Sequence, residues 1–155
     1  MSGVGKSSVV SELAARGYRA VDADADEYSE LADTSAEDAR RFGAAQEWRW
    51  REDRMRRLLD SDEADVLFVS GTSSNQSKFY DRFDRIILLT APETLMVERM
   101  MTRTNNPYGR DPADVERQLA LKPIVEPLLR RNAHAVIDAS APLGHVIAEV
   151  LRLSL

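Results

Sequence analysis

Met1-Ser-Gly-Val-Gly-Lys-Ser-Ser-Val-Val10 decides how the rest of the chain is read. Gly5-Lys6-Ser7 is the closing half of the pattern G-x-x-x-x-G-K-[ST], a loop that cradles phosphate. Glycines let backbone N–H groups curl round phosphate oxygens, and the helix that follows offers unsatisfied N–H groups and the positive end of its dipole. In that pattern Lys6 reaches the β- and γ-phosphates and the Ser7 hydroxyl holds Mg²⁺. The helix this mechanism demands follows at once. Val9, Val10, Leu13 and Ala14 share one face of the segment from Ser7 to Arg16, and Gly17 is a stop signal. The competing reading, a flexible N-terminal tail, leaves that helix unexplained.

Counting five positions back from Gly5 reaches position 0, so the pattern's first glycine is absent from the chain, as is the strand that feeds such a loop. The expectation is a natural start upstream of Met1, with a short Val/Ile/Leu-rich run ending in glycine. Without it, the facing edges of strands at 66–69 and 86–89 would be unpaired, or the two strands would close on each other.

A chain of 155 residues, 43% hydrophobic and 30% charged, is expected to form a single domain over 1–155 with a real core. It has no apolar run near the length of a membrane span and no signal-peptide pattern, which predicts a cytoplasmic protein with no membrane partner. The lack of cysteine excludes disulfides and Cys-ligated metal centres. His134 and His145 have no partner at ligand spacing and read as structural or solvent-facing. A net charge of −5 argues against a nucleic-acid partner bound through a basic surface, but not against a nucleotide, for which a few arginines suffice.

Strands expected at 18–21, 66–69, 86–89 and 135–137 alternate with helices, so the fold class is α/β with a parallel sheet. The first ends in Asp22-Ala-Asp24-Ala-Asp26, at the strand end where ligands bind in open α/β sheets; the alternative is a solvated acidic loop with a helix N-cap. Residues 27–63 read as one polar, helix-prone block. Ser35 to Asp38 gives a capping signal, and Trp48, Met55, Leu58 and Leu59 serve as packing residues at helical spacing. Arg49, Arg51, Arg54, Arg56 and Arg57 form mostly a solvated face paired with Glu47, Glu52 and Asp53. The continuous apolar run Val66–Val69 predicts a strand buried on both faces. Ser70 stands at its end, where many phosphate-loop proteins place an Asp for Mg²⁺. Asn75, Gln76, Lys78 and Tyr80 read mostly as surface loop.

Pro92 opens a helix packed by Leu95, Val97 and Met100 or Met101, with Arg99 and Arg103 four apart on one face. Thr104 to Arg110 is a Pro/Gly loop, and Asp111-Pro112 caps the next helix, which Pro123 and Pro127 should break or kink. A last helix follows Asp138-Ala-Ser-Ala-Pro142.

In this order of parts the chain resembles the nucleoside-monophosphate-kinase and shikimate-kinase group of phosphate-loop kinases, over nearly its whole length. Ser2, Gly3, Val4, Gly5, Lys6, Ser7 and Ser8 look like the phosphate loop. Asp22 and Asp24 look like the acidic pair of shikimate kinases, which implies an acceptor or Mg²⁺ contact, with Ser7 and Asp22 as metal contacts. Arg99-x-x-x-Arg103 is similar to the arginine pair ahead of the lid in adenylate kinases. That likeness implies Arg99 stacked on adenine and Arg103 on ATP phosphates. Residues 104–111 would be a short lid carrying Arg110, the loop with Ser140 and Pro142 would pass the adenine, and residues 27–63 would bind the acceptor. The block carries no acceptor signature for AMP, shikimate or gluconate. The resemblance implies a sheet of order 2-3-1-4-5 with its first strand missing from this chain.

The expected function is an ATP- and Mg²⁺-dependent small-molecule kinase, monomeric or homodimeric. Lys6, Arg103 and Arg110 would neutralise phosphate charge, and Asp24 or Asp22 would orient or deprotonate an acceptor hydroxyl. If the acceptor is a phosphate, no base is needed and the acidic pair would serve the metal instead. The rival is a nucleotide-binding switch that transfers no phosphate.

Overall fold

Helix α1 (Lys6–Ala15) grows directly out of the glycine-containing turn of residues 2–5. Val9 and Leu13 bury its inner face, Val10 is half-buried and Ala14 is exposed. Gly17, at φ +90°, closes it: the Tyr18 N–H donates to Leu13 O and the Gly17 N–H to Ala14 O, the paired bonds of a left-handed helix stop. The computed structural model describes residues 1–155. Two compact units divide them, one of residues 1–9 and 84–155, the other of residues 10–83. No helix is long and apolar enough to cross a membrane.

In the unit of residues 10–83, β1 (Arg19–Asp22) pairs in parallel with β4 (Leu67–Ser70), Ala20 opposite Phe68 and Asp22 opposite Ser70. A second sheet is antiparallel: β2 (Ser29–Asp33) against β3 (Gln46–Trp50), joined through α2 (Ala36–Phe42). The Ser35 hydroxyl caps α2 by accepting from the Asp38 N–H, as the capping signal predicted. Helix α3 (Glu52–Leu59) and a 3₁₀ helix (Gln76–Arg82) complete the unit. Ala23, Trp50, Met55, Leu58 and Phe79 form its core.

This corrects the reading of residues 27–63 as a helix-prone block. Trp48 and Trp50 sit two apart on β3, the period of a strand, and only Met55, Leu58 and Leu59 follow the helical period of α3. Trp48 is not a packing residue: it is 59% exposed, and Trp50 is the buried tryptophan. The arginines behave mostly as expected, Arg56 pairing with Glu52 and Arg57 with Asp53, while Arg51 pairs with Glu30 across the ribbon.

In the other unit β5 (Ile87–Thr90) pairs in parallel with β6 (Ala135–Asp138), Ile87 opposite Ala135. Helices α4 (Glu93–Thr102), α5 (Pro112–Asn132) and α6 (Leu143–Ser154) surround them. Met1, Val4, Ala91 and Met96 form one core cluster, backed by Leu89, Leu95, Val125 and Leu129. On α4 the packing methionines are Met96 and Met100, whereas Met101 faces out. The His134 imidazole accepts from the Ile86 N–H through Nδ1, a structural use.

Two further expectations, for residues 66–69 and for helix α5, are corrected. Residues 67–70 are half-buried along their whole length, not enclosed on both faces. Strand β4 bonds to β1 alone and β5 to β6 alone, so the parallel pairs 2·3 and 4·5 of the expected order are present and the rest of that order is not set by strand pairing. Helix α5 runs unbroken through Pro123 and Pro127. The two prolines lie one turn apart on an exposed face, where the carbonyls that lose an N–H partner can bond water.

Candidate phosphate-loop site

Gly3 and Gly5 hold φ +80° and +100°, a region open to glycine and strained for other residues. At Gly3 there is also no room. A Cβ would lie 2.6 Å from the Met96 carbonyl oxygen, so the turn lies hard against α4. Val4 is buried beneath it, and Lys6 Nζ donates to Met1 O at 2.9 Å, spanning the loop. An ammonium carries three donors.

The arginines of α4 and its end hold this loop from a distance in sequence. Arg99 donates to Val4 O at 3.2 Å and to Ala139 O at 2.8 Å, joining the loop to the turn after β6. Arg103 is the residue that ends α4, and its Nη2 donates to Ser2 Oγ at 2.9 Å and to Tyr108 O at 2.6 Å. Its Nε is buried with no hydrogen-bond partner. Burial pulls its guanidinium below the ordinary value, although an arginine stays charged. A half-buried guanidinium held by neutral oxygens, with its one buried donor unmet, is suited to an anion.

The segment expected as a lid is built on its own turns. The Asn106 side chain accepts from the Tyr108 N–H, and Asp114 accepts from the Gly109 N–H. The Tyr108 hydroxyl donates to Asp114 O, and burial first, then Asp114, pushes its pKa up. Arg110 is exposed and donates to Thr104 O. Asp111 caps α5 through the Ala113 N–H, as predicted. In the turn 139–142, Ser140 bonds the Asp138 carboxylate first through its side chain and also through its backbone N–H, which together lower the Asp138 pKa, and Pro142 starts α6. Of the residues singled out from sequence, this unit thus gathers Ser2, Gly3, Val4, Arg99 and Arg103 round one turn. Lys6 spans that turn, Ser7 and Ser8 lie in the first turn of α1, and Arg110 contacts its own loop.

In the unit of residues 10–83, Asp22 and Asp24 stand at the end of β1. Asp22 Oδ1 accepts from the Asp24 N–H at 3.0 Å, and Asp24 accepts from the Thr72 N–H with both carboxylate oxygens. The stretch after β4 is not a mere surface loop. Ser73 and Asn75 are buried, Ser73 Oγ and Asn75 Oδ1 both accept from the Trp50 N–H, and Asn75 Nδ2 donates to Trp50 O. A side-chain amide thus continues the ladder of β3. Sequence reasoning missed Asn75, Trp50 and Tyr108; only the polar residues clustered after a strand end signalled Asn75. No group of three or more His, Cys, Asp or Glu side chains gathers to hold a metal.

A family model described as an AAA domain matches residues 1–120. No curated protein matches the chain. The match covers well over half of the 155 residues, so the chain belongs to the AAA domain family, a P-loop NTPase-like family of α/β fold that includes small kinases and ATPases.

Proposed function

We propose, from that membership as premise, that this nucleotide-binding P-loop protein is an ATP- and Mg²⁺-dependent kinase that transfers the γ-phosphoryl group to a small acceptor. The observation that carries the reading is Arg103: one guanidinium touches Ser2 of the phosphate loop and the Tyr108 carbonyl of the following segment, with its Nε unmet. Phosphoryl transfer demands positioning and charge neutralisation, and a cation shared by loop and lid serves both. A protein that only holds nucleotide needs no such cation.

Lys6 and Arg103 would neutralise the transferring group, with Arg110 as a lid cation. Residues 2–8 would hold the phosphates through backbone N–H groups, and the turn bearing Ser140 and Pro142, tied in by Arg99, would border the base. Ser7 is the proposed Mg²⁺ contact of the phosphate loop; bound Mg²⁺ shields phosphate charge. Asp24 would take the proton of an acceptor hydroxyl as the acceptor oxygen bonds to phosphorus and ADP leaves.

ADP release across a panel of nucleosides, nucleotides and sugar acids tests this. A rate raised by one acceptor supports the kinase. A slow rate indifferent to every acceptor refutes it in favour of a nucleotide-dependent switch.

A further inference from the structure

The Asp24 carboxylate is held from outside its own turn. Both its oxygens accept from the Thr72 N–H, at 2.9 and 3.2 Å, and Oδ1 also faces the indole N–H of Trp50 at 3.4 Å. Trp50 is itself fixed. It is 5% exposed, its ring packs against Phe79 with centroids 6.1 Å apart, and Asn75 grips both its backbone N–H and its carbonyl. The closeness has a steric condition. A Cβ at Gly71 would lie 2.7 Å from Asp24 Oδ1, 2.9 Å from Trp50 Cζ2 and 3.1 Å from Trp50 Nε1. Gly71 has no left-handed φ, so its backbone does not call for glycine; the approach of carboxylate and indole does.

We infer that Trp50 and Gly71 are positioning residues for Asp24: the buried indole N–H and the gap left by a missing side chain fix one orientation of that carboxylate at the end of β1. The inference rests on the kinase reading for what Asp24 does, but not for how it is held. A buried indole N–H needs an acceptor, and a carboxylate with several rotamers must lose them to act as a base in one direction. The contact meets both needs with one pair. The rival account is that Asp24 merely satisfies the indole, and then the indole N–H would contribute nothing to turnover.

The test uses the full chain and the acceptor found most active in the panel. Trp50→Phe keeps a packed ring and deletes the donor. It should lower kcat about tenfold with KM for ATP unchanged, the scale of one hydrogen bond to a charged group. Gly71→Ala should lower kcat likewise, since either Asp24 or Trp50 must move. Trp50→Phe added to Asp24→Asn should cost nothing beyond Asp24→Asn alone. An unchanged kcat in Trp50→Phe, or losses that multiply in the double variant, would overturn the inference. An independent readout needs no turnover: in ¹H–¹⁵N spectra, Asp24→Ala should move the Trp50 indole signal upfield and leave that of Trp48 in place. An unmoved Trp50 signal overturns the inference even where Trp50→Phe fails to fold. No turnover of the parent with any acceptor refutes the kinase reading instead, and an unmoved indole signal would still overturn the contact that positions Asp24.

Discussion

Arg99 and Arg103 come from one short stretch, yet their surroundings assign them different work. Arg99 spends its donors on two backbone carbonyls, Val4 O and Ala139 O, contacts that exist before any chemistry. Arg103 keeps a buried donor unmet beside Ser2. Removing Arg99 leaves the carbonyls of two buried residues without its donors, so Arg99→Ala should destabilise the protein by about 1–3 kcal/mol and raise KM for ATP. Arg103→Ala should instead lower kcat more than it raises KM, because a contact made chiefly in the transition state is missed there. Urea unfolding and steady-state kinetics on both variants check the division; identical profiles would contradict it.

At the scale of the element, α5 shows how a helix tolerates two internal prolines. Asp111 caps its start, and Glu126 lies between the prolines and accepts from Lys122 and Arg130, one turn to either side. Burial raises the Glu126 pKa, but its bonds to Arg130 and Lys122 outweigh that and hold it below 4.5 overall. A carboxylate with a depressed folded pKa contributes stability above its unfolded value and loses it as pH falls through the folded one. Unfolding free energy should therefore drop below pH 4.5, and Glu126→Gln should flatten part of that drop. Urea titrations at neutral and acid pH measure it; parallel acid losses in parent and variant would exclude the role.

For the whole molecule, family membership and the built phosphate loop make one shared demand: a bound nucleotide must stabilise the fold. A ligand at a hundredfold excess over its dissociation constant adds about 2.7 kcal/mol. Mg-ATP should raise the thermal midpoint of the parent. Lys6→Ala should erase that rise while leaving the protein folded, since Lys6 reaches across the loop to Met1 O and is not a core residue. A midpoint raised equally in both proteins would remove Lys6 from the nucleotide site.

What the sequence determined by itself is local and periodic. The phosphate-loop pattern, the helix after it, the stop at Gly17, the caps at Ser35 and Asp111 and four parallel strands, shifted by a residue or less, all follow from signals within a few positions of one another. The β2–β3 ribbon was legible in part, as the alternation Trp48, Trp50, but a neighbouring helical spacing masked it. Tertiary structure alone decided the rest: Arg99 bonding Val4 and Arg103 bonding Ser2, Asp24 meeting Thr72 and Trp50, Asn75 buried against β3. These pairs lie 25 to 101 residues apart, and no local preference encodes them. A side chain's partner is set by which backbones the folded core brings within about 3 Å, and that distance is a property of the packed chain.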